Sequence, residues 1–210
     1  MSERPEAGDA RVLWLAMVQR LMGRAAHDVK DSLNGVAVNL EVVRSRAARE
    51  GAPASAVAPF ADAAGQQLER LTSLLDALLA VARPERDPVN VAVALRRVAT
   101  LCAASTSADE AGVVVDDEPA EDATTALAGE VVRLALAAPL LDAVLGDGHP
   151  ASTVRCSMRV VPAEVVVTMA AEGRRVAMPR EVAGVVRAAG IRWTDGRKDQ
   201  GALSLAFPRA

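Results

Sequence analysis

Two long runs of apolar residues, recurring at alternating intervals of three and four, constrain this chain more than any other feature. Between Arg11 and about Glu50 there is no proline, and glycine occurs only at positions 23 and 35. In that stretch Leu15, Val18, Met22, Ala25, Val29, Ser32, Val36, Leu40, Val43 and Ala47 form a seam of about four and a half heptads, which predicts a long helix in a bundle. The segment from Gly51 to Pro59 then ends it with one glycine and two prolines. A second seam runs through Ala64, Leu68, Leu71, Leu75, Leu78 and Ala82 and stops before the charged linker Pro84-Glu-Arg-Asp-Pro88. Two amphipathic helices joined by a short loop make a hairpin, and a lone hairpin buries only one face of each. The simplest cover is a second copy of the chain, so the expectation is a homodimer with a four-helix core.

Past Asp87 the pattern changes. It predicts a helix over about Val91–Ser105, a short β-branched run over Gly112–Asp116 and a helix over about Thr124–Leu145. A turn at Gly146–Pro150 precedes strands near Thr153–Val160 and Glu164–Met169. A helix near Arg180–Ala189 then leads to a closing hairpin of Ile191–Thr194 and Ala202–Phe207, turned at Asp195-Gly196. Helices interleaved with mostly antiparallel strands point to an α+β layer domain, an α/β sandwich added to the helical hairpin. The expected organisation is a loose tail over 1–10, the hairpin over 11–84 and the α+β domain over 89–210.

Composition removes several function classes. The chain of 210 residues has only 2% aromatic residues, no tyrosine, and a formal net charge of -3. It therefore lacks the stacking platforms and the basic field that nucleic acids require, and no nucleic-acid partner is expected. Cys102 and Cys156 share no metal-ligand spacing and have apolar flanks, so they read as small buried side chains, with no metal site. The apolar stretch Val12–Met22 is interrupted by Gln19 and Arg20, is too short to span a bilayer and follows no secretory leader, so a cytoplasmic protein with no membrane partner is expected.

There are two histidines. His149, in Gly-His-Pro at a turn, reads as an exposed loop residue. His27 lies midway between Ala25 and Val29 of the seam, rotated by roughly 200° from each, so its imidazole should point out of the core near the middle of the helix. Asp28 follows it directly, Asp31 stands one turn later on the same face, and Lys30 lies beside it. A neutral imidazole is a good nucleophile toward phosphorus, and an adjacent carboxylate can hold the other ring nitrogen protonated and stabilise the cation that forms.

The run His27-Asp28-Val29-Lys30-Asp31-Ser32-Leu33 resembles the phosphoacceptor box of bacterial histidine kinases, which sits on the first helix of their dimerisation and phosphotransfer domain. The resemblance implies that His27 is phosphorylated and that Asp28 is the acid assisting it. Asp31 stands where most of those kinases carry Asn or Thr for hydrolysis of the partner's phosphoaspartate, which argues against phosphatase activity. Ser32 replaces the usual proline, so no kink is required there.

The resemblance extends from about Val12 to Pro208, and implies that the second domain is a degenerate form of the kinase ATP-binding domain. Val89–Val98 looks like its opening helix, and Ile191–Thr194 with Gly201–Pro208 like its closing hairpin. Ala138 and Asp142 occupy the positions of the asparagines that would coordinate magnesium and phosphate. Ala171 replaces the adenine-binding aspartate of the next box, and Arg175 its second glycine. Only Val176 to Arg180 stand where the mobile lid would be. The implied activity is that of a histidine phosphotransferase without a bound cofactor, taking phosphate from a receiver-domain aspartate and passing it to another receiver. The receiver would bring the Mg²⁺. Receiver docking is expected around Lys30, Asp31, Asn34, Gln67, Arg70 and Ser73. The alternative is a non-catalytic adaptor that binds response regulators or kinases, and an ATP-dependent kinase is a third reading.

Overall fold

The computed structural model describes residues 7–49, 53–82, 88–104, 112–116, 122–145, 153–195 and 201–210. Helix α1, Ala7–Ala47, and helix α2, Ala58–Ala82, form the expected antiparallel hairpin. A 3-10 turn at Ala54–Ala56 lies between them. Pro59 falls in the first turn of α2, where a missing N–H costs no hydrogen bond. Arg46 closes the hairpin end: its guanidinium lies over the Phe60 ring at 4.4 Å and donates to the Ala56 carbonyl at 2.8 Å.

The rest alternates helix and sheet. Strand β1 (Val89–Asn90) leads into α3 (Val91–Ala104), β2 is Val113–Val115, β3 is Thr124–Thr125 and α4 is Gly129–Leu145. Strands β4 (Val154–Val161) and β5 (Glu164–Ala171) are followed by α5 (Arg180–Ala188), β6 (Arg192–Asp195) and β7 (Leu203–Pro208). Five strands form one sheet in the order β2-β4-β5-β7-β6, antiparallel except where β2 runs parallel to β4. Alternation sorts its faces: Val154, Cys156, Val165, Val167, Met169, Leu203, Leu205 and Phe207 are buried, while Arg155, Ser157 and Arg159 are exposed. The Asn90 carboxamide oxygen accepts from the Val93 N–H at 3.0 Å and caps α3.

Two sequence expectations are corrected. Thr124 and Thr125 do not open a long helix. They pair with Asn90 and Val89 as a two-stranded ribbon, and α4 starts at Gly129. The tail does not run to Ala10 either, because α1 begins at Ala7 and Ala10 is buried. The turn at Asp195-Gly196 and His149 lie in part or whole outside the described residues.

The reason for the early start of α1 is α4. From Val131 to Leu140 every residue of α4 is buried, and Arg133 is the one polar side chain among them. A helix apolar on all sides needs cover on all sides. α3, α5 and β4 supply part of it, and the first turns of α1 supply the rest through Ala10, Trp14 and the half-buried Leu13, Met17 and Val18. Trp14 is only 6% exposed and carries the Arg133 guanidinium over its ring at 5.2 Å. On the other helix, Ala77 and Leu78 join the same core, beside α3. The hairpin base and the α+β layer thus share one hydrophobic core.

The apolar residues of the hairpin divide between two faces. Ala64, Leu74, Ala77 and Val36 are buried within the one chain, whereas Leu15, Met22, Leu33 and Leu40 of α1 and Leu68, Leu75 and Leu79 of α2 are about half exposed.

Gly201 is held at φ +54, and a β-carbon there would stand 2.6 Å from the Arg174 carbonyl oxygen. Its own carbonyl accepts from the Val176 N–H at 2.8 Å. Gly201→Ala should therefore lower the unfolding free energy by about 1–3 kcal/mol in chemical denaturation. Gly184→Ala, inside α5 where an added methyl meets nothing within 4 Å, should raise it by about 0.5–1 kcal/mol.

Candidate functional site

α1 carries His27 into water. From Trp14, which anchors the helix on the core, thirteen residues of helix lift His27 by about 20 Å along the axis. The residues of α1 that meet α2 or the core (Ala10, Trp14, Gly35, Val36, Asn39) are turned by roughly 80–180° around the helix from His27, whose side chain is 74% exposed. The imidazole nevertheless has a partner. Nδ1 lies 3.0 Å from Oδ2 of Asp31, one turn further on, whose side chain is 61% exposed. The spacing of four residues is the signal for that pair, since side chains four apart on a helix stack along one face. Asp31 is thus on the face expected from its spacing, and the ring-assisting role implied for Asp28 concerns a side chain outside the described residues.

The other expected docking positions divide. Lys30 and Asn34 are exposed on α1, and Arg70 and Ser73 are exposed on α2. Gln67 is corrected: it belongs to the interface between the helices. Its carboxamide fills the notch left by Gly35, where a β-carbon would stand 2.4 Å from its Nε2, and its Oε1 accepts from Asn39 at 3.3 Å. The antiparallel pairing of Gly35 with Gln67, and of Arg46 with Phe60, sets His27 at the level of about Leu75 on α2. Ser73 lies on that stretch and lines a shallow groove of about 560 Å³ with Gly65, Leu68, Glu69 and Thr72.

In the α+β layer, Ala138 is buried in the core at 4% exposure, while Asp142 is exposed. The Asp142 carbonyl accepts from Arg174 at 3.1 Å. Ala171, at the end of β5, bridges back to Arg174 across a turn in which Gly173 adopts φ +69. Arg175 is paired with Asp195 at 2.9 Å. The backbone from 175 to 179 then runs straight into α5.

Among the described residues no group of His, Cys, Asp and Glu is arranged to hold a metal ion, and no helix is long and apolar enough to cross a membrane. Both cysteines are buried.

No family model matches this sequence, and no curated protein matches it. Among solved structures, a bacterial phosphotransferase matches over 96% of each chain at 14% identity with a TM-score of 0.42. The Acinetobacter baumannii histidine kinase AdeS matches over 88% of this chain and 97% of its own at 11% identity with a TM-score of 0.38. Likenesses this distant carry no argument about what the chain does.

Burial pushes both thiols up to about 12, with the neighbouring Cys156 adding to the rise at Cys102 and Asp116 to that at Cys156. Both groups are thus neutral thiols throughout the neutral range, and neither is a nucleophile for the site. A thiol-reactive disulfide reagent at pH 8 should find no accessible thiol in the native protein and two after denaturation. Rapid labelling of the native protein would contradict the buried placement.

Proposed function

We propose that the chain is a histidine-containing phosphotransferase of a two-component phosphorelay. It accepts a phosphoryl group on His27 from a receiver-domain aspartate and passes it to a second receiver. The observation that carries this reading is the placement of His27, three-quarters exposed at mid-helix, with a carboxylate on one ring nitrogen. An aspartyl phosphate on another protein can approach such a ring in line. Phosphohistidine and phosphoaspartate are both high-energy, so transfer runs in either direction. The resemblance of His27–Leu33 to the kinase phosphoacceptor box supports the same chemistry.

The source of phosphate follows from α4. Where the kinase domain would offer carboxamides to a nucleotide, this helix offers Ala138, packed in the core, and Asp142, whose backbone carbonyl is tied to Arg174. Val131–Leu140 is covered by α1, α3, α5 and β4. These features favour a partner's aspartyl phosphate over ATP as donor, with Mg²⁺ on the receiver and no cofactor on this chain. Lys30, Asn34, Arg70 and Ser73 form the proposed receiver dock beside His27.

The half-exposed apolar stripe is proposed to seat a second copy of the chain, completing a four-helix core. Leu15 and Met22, Leu33 and Leu40, and Leu68 and Leu75 are each spaced by one heptad, the interval at which a helix returns to the same face of a partner. Leu40→Glu combined with Leu68→Glu should convert a dimer to a monomer by light scattering. A wild-type monomer would remove the bundle from the account.

The transfer itself is tested by incubating the protein with phosphorylated receiver domains. Label should pass to wild-type protein and not to His27→Gln. Because His27 packs against nothing in the core, that variant should unfold within about 0.5 kcal/mol of wild type and keep its oligomeric state. Calorimetry with MgATP should give no binding heat. If no cognate receiver labels the wild-type protein, the non-catalytic adaptor replaces this reading.

A further inference from the structure

We infer that Asp31 is the positioning residue of His27, holding the proton on Nδ1 so that Nε2 is the atom that takes the phosphoryl group. This rests on the phosphotransfer reading and names a residue to which the phosphoacceptor resemblance gives another task.

Nδ1 of His27 stands 3.0 Å from Oδ2 of Asp31. An ionised carboxylate only accepts, so a hydrogen bond there requires the hydrogen to sit on Nδ1. A neutral imidazole has one N–H and one free lone pair, so fixing the first on Nδ1 leaves the second on Nε2. Nε2 lies on the far side of the ring from the backbone, in a side chain that is 74% exposed, where a partner's phosphorus can reach it. Helix geometry favours Asp31 over Asp28 for this task. Residues four apart differ by about 40° around the helix and stack, whereas adjacent residues differ by about 100° and do not face each other.

The step balances without any proton transfer. The Nε2 lone pair forms the N–P bond as the P–O bond of the donor's aspartyl phosphate breaks, and that electron pair leaves with the donor carboxylate. Nδ1 keeps its hydrogen, and the ring becomes a phosphoimidazolium whose positive charge stands against the Asp31 carboxylate. In the return step a carboxylate oxygen of the second receiver attacks phosphorus, and the N–P pair goes back to Nε2. The carboxylate matters twice, for the tautomer before attack and for the cation after it.

Substitution by Asn gives a sharp contrast. A carboxamide can turn its NH₂ toward Nδ1, which favours the tautomer with hydrogen on Nε2 and blocks the attacking atom. Asp31→Asn should slow phosphoryl acceptance roughly 10–100-fold, and Asp31→Glu, which keeps the carboxylate within reach, should restore most of the rate. Asp28→Asn should leave the ring tautomer unchanged. The test pairs those rates with ¹⁵N spectra of the imidazoles, which are readily assigned because the chain has only two histidines. In alkaline buffer, wild-type His27 should show hydrogen on Nδ1, and Asp31→Asn should move it to Nε2. An unchanged tautomer and rate in Asp31→Asn, or a tautomer shift in Asp28→Asn instead, would overturn the assignment. Absence of label on wild-type protein would sink the transfer reading, and the spectra would still decide whether Asp31 holds Nδ1.

Discussion

Between Val131 and Leu140 helix α4 has no polar side to give to water, and the remainder of the molecule is arranged around that constraint. Ten consecutive residues, Val131 to Leu140, are buried, and within them only Arg133 is polar. Sheet and neighbouring helices cannot enclose such a cylinder alone, so the first turns of α1 close over it. Trp14 performs two tasks there. It adds apolar area to the core, and its ring face receives the buried Arg133 guanidinium, which also has Glu130 at 3.9 Å.

That closure sets the geometry of the site. Because α1 is clamped at its amino-terminal end and pairs with α2 further on, the middle of the helix is held as a rigid post with one side left to solvent. His27 stands on that side. A reactive side chain on a packed helix is better placed than one on a loop, since its backbone position is fixed by contacts made elsewhere. In the proposed function the α+β layer therefore supports the hairpin and widens its surface, while the phosphoryl chemistry stays on α1.

Periodicity carried much of this. The two helices, the α+β layer and the outward direction of His27 were all legible, because a 3.5-residue repeat and a two-residue repeat leave strong marks in the order of residues. Which stripe of α1 turns inward was not. Leu15, Met22 and Leu40 satisfy a heptad as well as Trp14 and Val36 satisfy the contact with the core, and a helix rich in apolar residues on two sides does not reveal which partner takes which side. Thr124 and Thr125 were absorbed into the helix that follows because strands of two residues are too short to show alternation, and their pairing with Val89 and Asn90 is long-range. Gln67 reads as a surface polar residue until the absent side chain of Gly35 is seen to make room for it. Asp31 was visible as a neighbour of His27, but which of two carboxylates meets the ring depends on side-chain geometry.

The central claim is that His27 takes phosphate from another protein's aspartate. It is tested most directly by ³¹P spectroscopy of the chain after mixing with a phosphorylated receiver and removing that receiver. One phosphoimidazole resonance is expected, stable in alkali, lost in acid and absent from His27→Gln. A phosphoryl group at any other position, or a phosphoimidazole signal that persists in His27→Gln, would contradict it.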